Sequence, residues 1–254
     1  MQSILEQYGW TESFAVARDS VENAGELVTD RVISGSRNSS MLVTGRVISV
    51  HRTRYEIMTE DGVIFAEITG NRLKDKDIYQ KPITGDWLLV EMGQGGNANI
   101  IQHIIERKTV LERRKVHSDV QVQLIAANVD TALIVQSLVQ DFSVRRVERV
   151  LLQLLKAGVK PVLVLNKADL VDDLSVFEQD LDMVDEAVQV IFTSAKTGQG
   201  IEELEKALLP GETFILIGSS GVGKSTIVNF ILGEDQIQKT GEVSDYNGKG
   251  KHTT

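Results

Sequence analysis

The chain has 254 residues, 42% hydrophobic and 25% charged, with no cysteine and 27 Lys and Arg against 36 Asp and Glu, a net charge of −9. That length allows one large domain or two ordinary ones, and the composition is that of a folded globular chain, not a disordered one. The lack of cysteine excludes disulfides, a thiolate nucleophile and cysteine-ligated zinc within these residues, and the net acidity excludes a surface that binds polyanions over its whole extent.

Charge is uneven along the chain. Residues 41–120 hold 12 basic and 11 acidic side chains, net +1, against −3 before them and −7 after. No stretch reaches the roughly 20 apolar residues of a membrane span, and the opening residues lack a basic region followed by an apolar one, so a cytoplasmic protein is expected. Residues 1–40 read as an N-terminal extension.

From Met41 the segments 41–50, 54–58, 63–68, 87–92 and 99–105 are short and rich in Val, Ile and aromatics. Turn formers separate them, including Glu60-Asp61-Gly62, Thr84-Gly85-Asp86 and Gly93 to Asn97. The pattern predicts five strands in a small meandering OB-like β-barrel over 41–110. After Arg107 the period changes. Apolar strands are predicted at 124–130 and 132–135, then a helix over 144–157 with Ser143 as N-cap and Gly158 as its stop. Strand 161–165, an acidic helix around 175–186, strand 189–192, helix 201–209 and strand 213–217 follow. Alternating β and α predicts an α/β domain over 111–254, a mostly parallel sheet with helices on both faces.

The strand at 213–217 runs into Gly218-Ser219-Ser220-Gly221-Val222-Gly223-Lys224-Ser225, with Thr226 opening a helix-compatible run. This is the eight-residue phosphate-loop pattern in its expected strand-to-helix context. Its glycines let backbone N–H groups curl around phosphates. Lys224 can reach the β and γ phosphates, and the Ser225 hydroxyl can ligate Mg2+. Asn166-Lys167-Ala168-Asp169 follows strand 161–165, at the carboxyl end of the sheet, where ligands bind. The Asp169 carboxylate can accept both N1–H and the 2-amino group of guanine, adjacent donors that adenine does not offer. Asn166 can tie the loops together, and the Lys167 stem can cover the base. Ser194-Ala195-Lys196 follows the strand ending at Phe192, which places the Ala195 N–H for the guanine O6. GTP or GDP with Mg2+ is therefore the expected ligand.

These elements resemble those of the translation-factor class of GTP-binding proteins, but in permuted order, since the tetrad ending at Asp169 precedes Gly218. A permuted GTPase behind a small barrel resembles the small ribosomal subunit biogenesis GTPases, the RsgA (YjeQ) family. Its marks are Leu124-Ile-Ala-Ala-Asn-Val-Asp130, Gly218 to Thr226, Thr240-Gly-Glu-Val-Ser244 and Gly248-Lys-Gly-Lys-His-Thr-Thr254. The resemblance implies a bacterial assembly factor, a monomer, that docks on the 30S subunit and its rRNA, hydrolyses GTP faster there than alone, and helps release another maturation factor. It also implies His252 as the residue that positions or activates water, against a solvated or RNA-contacting histidine. Thr253 or Thr254 would be the switch ligand of Mg2+ beside Ser225.

An Asp-Thr-Pro-Gly switch and a cysteine and histidine zinc module should follow those threonines, and neither occurs in the 254 residues. The expectation is a GTPase domain incomplete at its C-terminus, with zinc belonging to the longer family members and Asp245-Tyr-Asn-Gly248 part of a switch loop. For RNA contact the expected patch is Arg107, Lys108, Arg113, Arg114 and Lys115, helped by Arg46, Arg52 and Arg54. Two other readings compete: another phosphate-loop NTPase, and an RNA-binding nucleotide switch that does not hydrolyse.

Overall fold

The computed structural model describes residues 3–23, 41–69, 77–114, 122–139, 142–181, 184 and 187–232. It divides into two compact units, Met1–Val129 and Asp130–Thr254. Among the described residues no helix is long and apolar enough to cross a membrane.

In the first unit, β1 (Leu42–His51), β2 (Arg54–Thr59), β3 (Gly62–Glu67), β4 (Trp87–Glu91) and β5 (Asn99–Ile104) close a barrel in the order β1-β2-β3-β5-β4. All neighbours are antiparallel except β3 and β5, which close the barrel through a short parallel pairing of Ala66 with Asn99 and Glu67 with Ile100. Alternation along each strand sends Val47, Tyr55, Ile57, Ala66, Leu88, Val90 and Ile101 inside. The five expected strands and their OB-like closure are present.

The opening residues pack onto this barrel. Helices α1 (Ile4–Gln7) and α2 (Glu12–Asn23) bring Leu5, Trp10, Phe14, Ala17 and Val21 against Trp87, Leu89 and Ile105. Glu60, in the turn after β2, accepts the Ile4 and Leu5 N–H groups, which would otherwise have no partner at a helix start.

Two arginines expected to meet RNA are internal instead. Arg46 is 6% exposed and donates to the carbonyls of Tyr8, Gly85 and Asn128. Arg107 forks onto the fully buried Asp86 carboxylate with two bonds of 2.7 Å. Burial is the larger influence on Asp86 and raises its pKa against the opposing pull of Arg107. Lys108 is exposed but lies 4.2 Å from the Phe14 ring centroid and donates to Thr11. Arg52, Arg54 and Arg113 are exposed, and the side chains of Arg114 and Lys115 lie outside the described residues.

Strand β7 (Val122–Ala127) corrects the expectation of a first sheet strand at 124–130. It pairs antiparallel with β6 (Val110–Arg114), and both belong to the first unit. The apolar run is broken at Asn128, whose left-handed backbone (φ 55°) turns the chain while its side chain bonds Lys108 N–H and Gly85 O.

Among the described residues the second unit holds a four-stranded, all-parallel sheet in the order β10-β9-β8-β11, built from β8 (Thr131–Ser137), β9 (Lys160–Asn166), β10 (Gln189–Thr193) and β11 (Phe214–Ile217). Helices α3 (Val144–Lys156), α5 (Ile201–Ala207) and α6 (Lys224–Leu232) connect or follow the strands. On α3, Val147, Leu151 and Leu154 recur at helical spacing and are the buried stripe. Ser143 stands at the N-cap of α3 without a side-chain cap bond, and its own N–H donates to Gln136. Of the expected acidic helix around 175–186, the described residues hold a 3-10 turn at Leu174–Phe177 and then α4 (Glu178–Leu181), and residues 182, 183, 185 and 186 lie outside the described residues.

Candidate functional site

The carboxyl ends of β8, β9, β10 and β11 share one edge of the parallel sheet, and the residues that follow β9, β10 and β11 carry the expected ligand-binding groups. Open α/β sheets bind ligands in the crevice outside such ends. The phosphate loop spans from the end of β11 to the start of α6 at Lys224. Its Lys224 ammonium folds across the loop and donates to the carbonyls of Gly218 (2.9 Å) and Ser219 (2.7 Å). Partial burial lowers the Lys224 pKa from its ordinary value by disfavouring the charged ammonium. An ammonium bonded to carbonyl dipoles gains a stronger partner when an anion enters the loop.

The tetrad after β9 is tied directly to that loop. Asn166 is 2% exposed, and its Nδ2 donates to Val222 O at 2.7 Å. Its Oδ1 accepts the Ala195 N–H at 3.1 Å and the Thr193 hydroxyl at 3.3 Å. One amide thus joins the ends of β9 and β10 to the loop that follows β11. The approach is close enough that a Cβ on Gly223, whose φ is +99°, would overlap the Asn166 amide. Only glycine serves there, on both counts. Lys167 turns the chain out of the strand in a left-handed conformation (φ 67°), leaving Ala168 buried and Asp169 exposed at the rim. Asp169 accepts the Ser194 hydroxyl at 2.6 Å, which fixes one carboxylate oxygen against the loop after β10. The Ala195 N–H, expected to meet a purine O6, is held by Asn166, so an incoming acceptor shares or takes that donor.

The structure therefore brings together Asn166, Lys167, Ala168 and Asp169, Ser194, Ala195 and Lys196, and Gly218 through Thr226. His252, Thr253, Thr254 and the segments 240–244 and 245–248 lie outside the described residues. Among the described residues no group of three or more His, Cys, Asp or Glu could hold a metal ion. The features that fit a polyphosphate are the glycine cradle, the partly buried Lys224 and the helix start at Lys224 and Ser225, and Ser225 is the hydroxyl at hand for Mg2+.

One group was not anticipated from sequence. A cavity of about 220 Å³ opens beside the phosphate loop, lined by Ser137, Arg146, Val150, Gly218 and Ser219 among others. Arg146 Nη1 lies 3.4 Å from the Ser219 hydroxyl, and the buried Ser137 hydroxyl has no hydrogen-bond partner among the described residues. Arg146 carries no motif. Only the packing of α3 beside β8 brings it there.

The family model described as RsgA GTPase matches residues 104–254. A relative from Bacteroides thetaiotaomicron named small ribosomal subunit biogenesis GTPase RsgA 1 is 40% identical over 204 residues, 80% of this chain and 57% of that protein. One of the same name from Listeria innocua is 36% identical over 251 residues, 99% of this chain and 65% of that protein. The chain thus spans about three fifths of the length of these relatives. Among solved structures, YjeQ from Thermotoga maritima superposes with a TM-score of 0.62 at 26% identity, over 83% of this chain and 73% of that one. YloQ, titled a circularly permuted GTPase, gives 0.54 at 20% identity over 85% and 72%, a likeness of fold. The tetrad Asn166 to Asp169 precedes the phosphate loop yet bonds to it, the order of a permuted chain, and with these matches the chain belongs to the RsgA GTPase family.

Proposed function

We propose that this chain binds GTP and GDP with Mg2+, hydrolyses GTP, and acts in late maturation of the small ribosomal subunit. The observation that carries the nucleotide reading is the bond from Asn166 Nδ2 to Val222 O, which makes one site of the tetrad and the phosphate loop. The family supports the ribosomal part, since the matched relatives are named small ribosomal subunit biogenesis GTPases. In this reading Asp169 accepts the two guanine donors, Lys224 moves from its loop carbonyls to the phosphates, and Ser225 holds Mg2+. Mg2+ held there would supply charge neutralisation at the phosphates. His252 positions the attacking water and Thr254 or Thr253 completes the Mg2+ ligands, roles that rest on the family resemblance alone. The functional division is an extension over 1–40, a barrel over 41–110 and a GTPase domain over 111–254. The protein works as a cytoplasmic monomer, and its exposed Arg52, Arg54 and Arg113 meet rRNA, the docking partner being the 30S subunit.

Fluorescent nucleotide titration in Mg2+ buffer tests the core of this. The wild type favours GDP over ADP. In Asp169→Asn the amide donates where the carboxylate accepted, so GDP weakens by about a hundredfold or more and xanthosine diphosphate, which has a 2-oxo acceptor, gains. Equal binding of GDP and ADP by the wild type refutes the guanine reading. Phosphate release with and without small subunits tests hydrolysis and its stimulation.

A further inference from the structure

Helix α6 serves the phosphate loop with its first residues, and its second turn reaches a different part of the site. Phe230 packs on Gly198: an ideal Cβ at Gly198 would lie 2.9 Å from Phe230 Cζ, 3.5 Å from Cε1 and 3.7 Å from Cε2. Gly198 closes a tight turn that Ser194 opens. Its N–H donates to Ser194 O at 2.8 Å, the Thr197 N–H donates to the Ser194 hydroxyl at 3.2 Å, and Gly198 itself holds φ +84°. The residues of that turn face the purine side of the site, through Ser194 bonded to Asp169 and the Ala195 amide bonded to Asn166. The helix between Lys224 and Phe230 is anchored by Ile227, fully buried in the unit's core. Six residues at 1.5 Å each make a stiff link of about 9 Å between the two ends.

We infer that Phe230 is a positioning residue for guanine selectivity: it holds the Ser194–Gly198 turn against the phosphate-loop helix, so one helix sets both ends of the nucleotide site. The inference deepens the guanine-nucleotide reading and rests on it. Phe230 touches no purine in this role; it acts through the turn. Without the ring the turn loses the surface it packs on, and the groups facing the base lose their fixed placement while Lys224 and Ser225 keep theirs.

The test is displacement of a fluorescent guanine nucleotide by GDP and by ADP, measured on the wild type, Phe230→Ala, Phe230→Leu and Gly198→Ala, with thermal unfolding of each. GDP and ADP share phosphate contacts, so their ratio isolates the base. Phe230→Ala is expected to weaken GDP about tenfold and ADP less than twofold, and Phe230→Leu to weaken GDP about threefold. Gly198→Ala crowds the ring and lowers the same ratio by itself, and combined with Phe230→Ala it costs less than the two separate losses multiplied. Should Phe230→Ala fail to fold, Phe230→Leu and Gly198→Ala still report the ratio. Equal weakening of GDP and ADP would reduce Phe230 to a structural residue and overturn the inference, as would an unchanged ratio in every variant. A wild type with no preference for GDP overturns the guanine reading and this inference together, whereas a selective wild type with insensitive variants overturns this inference alone.

Discussion

Replacing Asn166 with alanine is expected to destabilise the second unit and abolish nucleotide binding together. The side chain is 2% exposed and makes three hydrogen bonds, to Val222 O, from Ala195 N–H and from the Thr193 hydroxyl. Its removal leaves three polar groups without that partner in an interior site. Each buried group left unsatisfied costs about 1–3 kcal/mol, with the lower figure apt where water can enter the space. The Thr193 hydroxyl can rotate, and the Val222 carbonyl lies next to the exposed loop, so a total of about 3 kcal/mol is the reasoned value. For a unit of this size, at roughly 3–5 °C per kcal/mol, that is a fall of about 10–15 °C in Tm. Circular dichroism melting in nucleotide-free buffer measures it, and titration with fluorescent GDP measures the site. Asn166→Asp is the companion variant: the shape is kept, but an acceptor then faces Val222 O, and the loss should be comparable. A Tm within about 2 °C of the wild type with GDP affinity retained would show that the tie between the loops carries no energy, and the one-site argument would fail with it.

Arg107→Ala strands the Asp86 carboxylate, which is fully buried and bonded twice to that guanidinium. Removing one partner of a buried pair costs about 3–5 kcal/mol, to be read as a lower urea midpoint for the first unit, and no shift would refute the internal role of Arg107. For nucleotide binding, the lowered Lys224 pKa sets the sign of a pH effect. Entry of phosphate raises that pKa again, so the complex binds more protons than the free protein and affinity falls as pH rises through the alkaline range. Calorimetry in two alkaline buffers of different ionisation enthalpy should detect proton uptake in the wild type and none in Lys224→Met.

What could be read from sequence divides by range of interaction. The barrel strands and the parallel sheet are written locally, in alternation and in turn formers such as Glu60-Asp61-Gly62, and the structure has them within a residue or two. The phosphate loop and the tetrad carry their context with them, a strand before and a helix or turn after. Arg46 and Arg107 looked like surface charge because nothing local marks their partners: Asp86 is 21 positions from Arg107, and Tyr8 is 38 from Arg46. The strand at 124–130 had the apolar content of a sheet strand, but its partner is decided by the antiparallel register with Val110–Arg114 and by the left-handed turn at Asn128. Phe230 reads as one more apolar helix residue, and its neighbour Gly198 is 32 positions away.

The position of β11 has a bearing on how the site comes into being. Among the described residues β11 pairs only with β8, whose own partner on the other side, β9, leads into the tetrad. A chain made from its N-terminus therefore completes the tetrad's half of the sheet first, with Asn166 waiting for a carbonyl that has yet to be synthesised. In an unpermuted GTPase the phosphate half emerges first. Here the phosphate loop arrives with the last strand of the described sheet, so on the proposed reading both halves of the nucleotide site come together only when that strand docks. A ligand present at about one hundred times its Kd would then add about 2.7 kcal/mol to the docked state. On that reading the nucleotide would be a late clasp on the domain, closing on a sheet that is already built.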